Sequence, residues 1–184
     1  HELILEGTLG VDARRAATKI RDHLLANPAT WLSELGRVAV LSGATQLVID
    51  LRPTSIVVEW NGERIGSEVI EQFGRHLLGD DEEPKPSKRS RRARPDRRPE
   101  LLTLAVFAAL GDVAKAVDIS VASEGDSVKR RHLTREELEG ALTGGEARVL
   151  SVPRGEAFSL LPDATCGVVL DMGARLRTFA HWLG

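Results

Sequence analysis

An α+β fold follows from three features of the sequence. Two short β-rich runs, Gln46–Leu51 and Ser55–Glu59, flank the turn residues Arg52-Pro53-Thr54 and read as a hairpin. Amphipathic helical patterns precede and follow that hairpin. The last third of the chain is mostly strand-like, with one capped helix inside it. Helix pair, hairpin, helix, loop, helix and then strands predict a two-layer α/β sandwich. Its helices lie on one face of a mixed, mostly antiparallel sheet. The 184 residues fit a single domain, 1–184, able to bury roughly 70% of its unfolded surface.

Each element has its own signal. Glu2–Leu9 alternates loosely, as an edge strand does. Val11–Ala26 places Val11, Ala16, Ile20, Leu24 and Leu25 on one helical face, and Asn27-Pro28 ends it. Pro28 opens a second helix, Ala29–Leu41, with Trp31, Leu35, Val38 and Leu41 inward and Ser42-Gly43 as its stop. After the hairpin, Asn61-Gly62 tolerates positive φ and leads to a helix over Ser67–Leu78. Residues 79–100 hold four prolines, eight basic residues and no large apolar side chain, so they read as a flexible basic lid-like loop. Leu101–Ala116 is nearly all apolar and predicts a buried helix, and Val117–Ala122 and Ser127–Leu133 predict strands. Thr134 and Glu137 form a capping-box pattern for a helix to Leu142. Ala147–Val152, Ala157–Leu161 and Gly167–Asp171 read as closing strands, and Ala174–Leu183 as a terminal helix with Leu176, Phe179, Ala180 and Leu183 inward.

Composition narrows the function classes. Hydrophobic residues make up 42% of the chain, but aromatics only 4% with no Tyr, so the core is mostly aliphatic. The net charge of −2 argues against wholesale nucleic-acid binding, although the basic residues concentrate in 85–98. No apolar run reaches the roughly 18 residues that a membrane helix needs. The start, HELILEG, lacks the form of a signal peptide. One cysteine, Cys166, rules out an internal disulfide and suggests a reducing compartment, here the cytoplasm. His23, His76, His132 and His181 have no metal-ligand spacing.

A hairpin ending in a glycine loop beside a helix start is a common seat for a phosphate or nucleotide. Four stretches extend that thought. Leu24–Leu35, LLANPATWLSEL, resembles the start of the nucleotide-binding domain of the 90-kDa heat-shock chaperones. Ser42–Thr45, SGAT, resembles the same junction in the mismatch-repair MutL branch. Val57–Gly66, VVEWNGERIG, occupies the place of the family's D-x-G-x-G loop, and Leu104–Ser123 looks like the helix and strand after the ATP lid. Together they resemble the GHKL, or Bergerat-fold, ATPase superfamily over nearly the whole chain, the shared order carrying more weight than any one motif.

The resemblance implies a degenerate ATP site. The family's E-x-x-x-N helix supplies a general base and a magnesium ligand. Here the pattern is Glu34-Leu-Gly-Arg-Val38, so Glu34 stands as a vestigial base and Val38 cannot bind magnesium. Trp60 takes the place of the adenine-binding Asp, with Glu59 one residue early and, by strand alternation, on the other face. Asn61 and Gly62 fall in the loop, Gly62 at its first glycine and Arg64 at its second, while Thr165 matches the late Thr near the adenine. For each residue a plainer account competes. Glu34 then is a half-exposed helix glutamate, Trp60 a surface anchor for a partner, the arginine run a solvated lid remnant, and Cys166 a small buried apolar residue.

The function this implies is a pseudo-ATPase: a degenerate chaperone-type nucleotide-binding domain kept as a non-catalytic protein-interaction or regulatory module. No cofactor is expected, although ATP is conceivable, and no metal. The partner would be a protein or other domains of a larger assembly, not a membrane. Two alternatives remain, an ATP-binding chaperone-like ATPase with a drifted site and a nucleic-acid-associated protein using 85–98. Limited trypsin should cut within 79–100 first and leave two associated fragments, because that segment is basic and proline-broken. Cleavage elsewhere first, seen by mass spectrometry, would mean that the segment is docked.

Overall fold

The structure, a computed structural model, describes residues 29–73, 96–142 and 147–173. The expected strand Glu2–Leu9, the helices Val11–Ala26 and Ala174–Leu183, and residues 79–95 of the lid-like loop lie outside the described residues. What is described is an α+β sandwich: helices pack on one face of an open six-stranded sheet.

Helix α1 spans Thr30–Leu41 and buries Trp31, Glu34, Leu35, Val38 and Ala39. It stops where the sequence places Ser42-Gly43. Gly43 has φ +63, its N–H donates to the Val40 carbonyl, and the Ala44 N–H reaches back to Ala39. That double bond pattern closes a helix with a glycine at the left-handed position. Strands β1 (Leu47–Leu51) and β2 (Ser55–Trp60) form the expected hairpin, with the Arg52 N–H donating to the Ser55 carbonyl at 2.9 Å. The helix expected over Ser67–Leu78 is described as α2, Glu68–Glu71.

Helix α3 runs Arg98–Asp112, beginning three residues earlier than the apolar pattern suggests. Asp96 accepts the Arg98 backbone N–H, and Pro99 occupies the first turn, where its missing N–H costs nothing. The helix also ends before Ala116, because the Ala114 N–H turns back to Ala109 and the Lys115 N–H joins the sheet at Asp171. Strands β3 (Ala116–Ala122) and β4 (Ser127–Thr134) lead to α4, Arg135–Leu142. The capping box forms as written: the Thr134 N–H donates to Glu137 Oε2 at 2.9 Å, and the Glu137 N–H to Thr134 Oγ1 at 3.2 Å. Strand β5 (Val149–Pro153), the single turn α5 (Arg154–Ala157) and β6 (Cys166–Asp171) complete the described chain.

The strand order is β1-β2-β6-β3-β4-β5, and every pairing among the described strands is antiparallel. Alternation divides the central strands. Ile56, Val58 and Trp60 of β2, Cys166, Val168 and Leu170 of β6, and Val117, Ile119 and Val121 of β3 face the helices and build the main core. A smaller cluster of Ala122, Val128, Ala157, Phe158, Leu161 and Ala164 covers part of the opposite face.

One expected strand is absent. Ala157–Leu161 is the end of α5 followed by a loop. Its N–H groups do not join the sheet. Those of Ser159, Leu160 and Leu161 donate to the buried carboxylate of Glu59 at 2.8, 3.0 and 2.8 Å. A buried carboxylate is stable only when its lone pairs are filled, and a buried loop only when its N–H groups find acceptors. Glu59 and the loop meet both needs at once. Glu59→Ala is expected to lower unfolding stability by about 3–5 kcal/mol, since several buried donors are orphaned together, and Glu59→Gln by less. Urea unfolding measures both, and a loss below about 1 kcal/mol for Glu59→Ala would show the loop to be held by other contacts.

Candidate functional site

The sequence points to the end of β2 and the loop behind it. Trp60 is the last residue of β2, paired with Leu47 on one side and Cys166 on the other. Its side chain points to the helical layer and is fully buried, as are those of Val38, Ile70 and Phe73 in the same cluster. The surface-anchor account of Trp60 therefore fails. An indole removes about 150–250 Å² from water, roughly 4–6 kcal/mol of apolar burial. Thr165 lies against Trp60, its N–H donating to the Trp60 carbonyl at 2.8 Å and its hydroxyl to the same oxygen at 3.5 Å. Trp60 and Val38, brought from two parts of the chain, share one apolar cluster, and Thr165 meets the Trp60 backbone.

The loop residues serve the scaffold. Asn61 Oδ1 accepts the N–H groups of Thr45 and Gln46 at 2.9 and 3.0 Å, and Nδ2 donates to Thr45 Oγ1 and Asp163 Oδ2 at 3.0 and 2.9 Å. Its amide ties the start of β1 to the loop before β6. Gly62 has φ +109, and a Cβ there would sit 2.4 Å from the Ser42 carbonyl oxygen. That oxygen already accepts the Glu63 N–H at 2.7 Å. A glycine is required here because the end of α1 approaches the loop, whatever else the loop does. Arg64 is exposed, while Ile65 beside it is buried in the apolar cluster.

Glu34 is more enclosed than a half-exposed helix glutamate. It is buried, and its carboxylate takes Arg37 Nη1 on both oxygens at 3.1 and 3.2 Å. Its carboxylate is thus engaged by a guanidinium one turn away on the same helix. Among the described residues, no group of three or more His, Cys, Asp or Glu is placed to hold a metal ion.

Two arginine sites escape the motif search. Arg98, at the head of α3, is buried. Its Nη2 meets Asp96 Oδ2 at 2.7 Å and its Nη1 meets Glu63 Oε2 at 3.1 Å, so it bridges the end of the lid-like loop to the glycine loop. Hydrogen bonds from Arg98 hold the Asp96 carboxyl below the usual carboxylate range, against the opposing pull of burial. Asp96 therefore adds stability above the ordinary carboxylate range and loses it as pH falls through its lowered value. About half of its side chain is in water, so that contribution is small. The second site is Arg131 on β4, buried on the helical side, where its Nη1 donates to the Ile70 carbonyl at 2.6 Å. Burial lowers its pKa. The only sequence signal for it was a charged residue at an inward position of an alternating strand.

Cys166 is fully buried, and burial pushes its thiol well up. His132 is on the surface, its Nδ1 2.9 Å from Asp118 Oδ1.

Trp60→Ala is expected to lower stability by about 3–5 kcal/mol, as large truncations in a packed core do. Thermal and urea unfolding check it, and a change within about 0.5 kcal/mol would mean that Trp60 leaves the core in solution.

No family model matches the chain, and no curated protein matches it in sequence. Among solved structures it is similar to one described as the crystal structure of the N-terminal domain of a DNA repair protein. The identity is 14% and the TM-score 0.51, over 93% of this chain and 45% of that one. This chain therefore spans less than half the length of that protein, and at that identity the likeness shows the path of the fold alone.

Proposed function

We propose that this chain is a pseudo-ATPase: a degenerate chaperone-type nucleotide-binding domain, of GHKL ancestry, that acts as a non-catalytic protein-interaction or regulatory module. The observation that carries the proposal is the complete burial of Trp60 and Val38 in one apolar cluster. Those positions correspond, in the resembled family, to the adenine anchor and a magnesium ligand. Phosphoryl transfer depends on metal and positioning for most of its rate, so a base without them has little to act on. Glu34 is moreover engaged by Arg37.

The partner in this proposal is a protein or another domain of a larger assembly. The solved relative is itself one N-terminal domain of a longer protein, which is compatible with such a modular role. No helix among the described residues is long and apolar enough to cross a membrane, and we place the domain in the cytoplasm, where a lone thiol stays reduced. DNA binding, which the solved relative's description brings to mind, would use the basic run 85–98. The two described arginines of that run are engaged by carboxylates, Arg97 by Glu100 and Arg98 by Asp96 and Glu63, which weakens their pull on phosphates.

Calorimetry with ATP, with and without magnesium, is expected to show no binding tighter than about 1 mM, or roughly 4 kcal/mol. Phosphate release should match that of Glu34→Ala. Turnover that disappears in Glu34→Ala would restore a working ATPase. Salt-dependent binding to duplex DNA that is lost when the arginines of 89–94 are neutralised would favour the nucleic-acid reading instead.

A further inference from the structure

Among the described strands, β1 pairs with β2 alone and β5 with β4 alone, so these two are the outer strands of the sheet. The two edges differ. β5 contains Pro153 and follows Arg148, and proline and basic residues keep an edge from pairing further. β1 reads LVIDL and has neither. Its backbone groups alternate in direction. The Asn61 N–H donates to the Gln46 carbonyl and the Arg52 N–H to the Ser55 carbonyl, so positions 46, 48, 50 and 52 turn their backbone groups toward β2. Leu47, Ile49 and Leu51 turn theirs to the outer edge. The same three side chains lie beside Trp60, Val58 and Ile56 on the helix-side face, and they are 42%, 43% and 61% exposed. Of the large apolar side chains left exposed among the described residues, all but Leu150 lie within 40–51.

We infer that β1 is a contact between two copies of this chain: it pairs antiparallel with β1 of a second copy, about a two-fold axis at Ile49, and joins the two sheets into one. Three features of the described residues select a second copy as the occupant. The first is self-complementarity. The series Leu47, Ile49, Leu51 reads the same in both directions, so a two-fold axis sets Ile49 against Ile49 and Leu47 against Leu51 of the second copy. The second is register. In this pairing the residues whose backbone groups face outward become hydrogen-bonded pairs, each exchanging both N–H···O bonds. A shift by one residue sets them against residues already bonded to β2, and a shift by two leaves an end of the strand unpaired. The third is charge. Asp50 is the one charged residue of β1 and lies on the other face, where Arg52 Nε meets it at 2.9 Å, so two copies meet without net charge. The contact is small. About 17 Å of strand by about 10 Å of sheet thickness is well below the roughly 800 Å² per partner of a stable complex, so the dimer is a weak one. This association stands apart from the proposed function and holds whether or not nucleotide binds.

Sedimentation velocity and cysteine cross-linking test it in the full chain. The average mass is expected to rise from monomer toward dimer between about 10 μM and 1 mM protein. Ile49→Lys, which sets two like charges on the axis, should weaken the association at least about tenfold while the circular dichroism spectrum stays native. Cys166 is fully buried with its thiol pushed up, so introduced cysteines are read almost alone. Ile49→Cys should oxidise to a disulfide-linked dimer, because hydrogen-bonded antiparallel pairs hold their Cα atoms about 5.5 Å apart, within disulfide range. Leu47→Cys alone should link at least about tenfold less, since its copy lies four strand steps away, about 13–14 Å. A mixture of Leu47→Cys and Leu51→Cys should link as readily as Ile49→Cys. A monomer at about 1 mM with no cross-link overturns the pairing. So does a dimer indifferent to Ile49→Lys, which assigns the contact elsewhere. Equal linking by Leu47→Cys and Ile49→Cys overturns it in favour of non-specific apolar association. A monomeric Ile49→Cys that resists an alkylating probe overturns it in favour of a cover within the chain.

Discussion

Strand β2 is covered on both faces, and alternation gives its last two residues opposite surroundings. Trp60 enters the helix-side core, and Glu59 enters the opposite face beneath the 158–165 loop. An ionisable carboxylate cannot be buried among Phe158, Leu161 and the sheet unless its oxygens are filled. The three N–H groups of Ser159, Leu160 and Leu161 fill them, and in doing so fix the loop. The loop in turn brings Thr165 to the Trp60 carbonyl and starts β6 beside β2, with Trp60 opposite Cys166. The register of the central pair is thus tied to a carboxylate on one face and an indole on the other. Shifting β2 by one residue would exchange the two, placing the carboxylate in the aliphatic core.

Arginine supplies the remaining polar links across the layers. Arg131 carries a guanidinium into the helical side and uses it on the carbonyls that end α2, at Ile70 and, at 3.4 Å, Glu71. Those carbonyls belong to the end of a single helical turn and have few intrahelical donors of their own. Its plane also lies 6.0 Å from the Phe73 ring centroid. Arg52, in the hairpin turn, donates to Asp50 on its own strand and to Ser159 of the Glu59-bound loop, both at 2.9 Å. Such links have no sequence period. They arise only once the strands are paired, which is why a motif search passes over them.

The elements that the sequence made legible are those whose signals are local. Gly43 as a helix stop, the Arg52-Pro53-Thr54 turn and the Thr134/Glu137 capping box each involve residues within a few positions of one another, and each forms. The opposite case is 157–161. Ala157, Phe158, Leu160 and Leu161 have the composition of a strand, but the amides of Ser159, Leu160 and Leu161 are claimed by a carboxylate about a hundred positions away. Residue-by-residue propensity contains no information about that acceptor. Glu34 is intermediate: its i+3 partner Arg37 was visible, but its burial follows from how α1 packs against α3. At the candidate site, the strand alternation that sends Trp60 and Glu59 to opposite faces was legible, whereas the depth of Trp60 was not, because burial depends on the helices above it.

The glycine loop shows why motif resemblance and site chemistry must be weighed separately. A glycine after a strand and before a helix invites a phosphate, since backbone N–H groups there are free to turn toward an anion. At Gly62 the backbone is otherwise engaged. The Ser42 carbonyl, from the end of α1, occupies the space where a Cβ would stand and takes the neighbouring Glu63 N–H. Asn61 spends its amide on Thr45, Gln46 and Asp163, and Glu63 meets Arg98. Packing alone explains why glycine stands at 62, so its match to a nucleotide loop adds little weight to nucleotide binding. The helix end that crosses Gly62 requires that space with or without a ligand. The side chains around Trp60 are those of a packed core, among them Val38, Ile70 and Phe73.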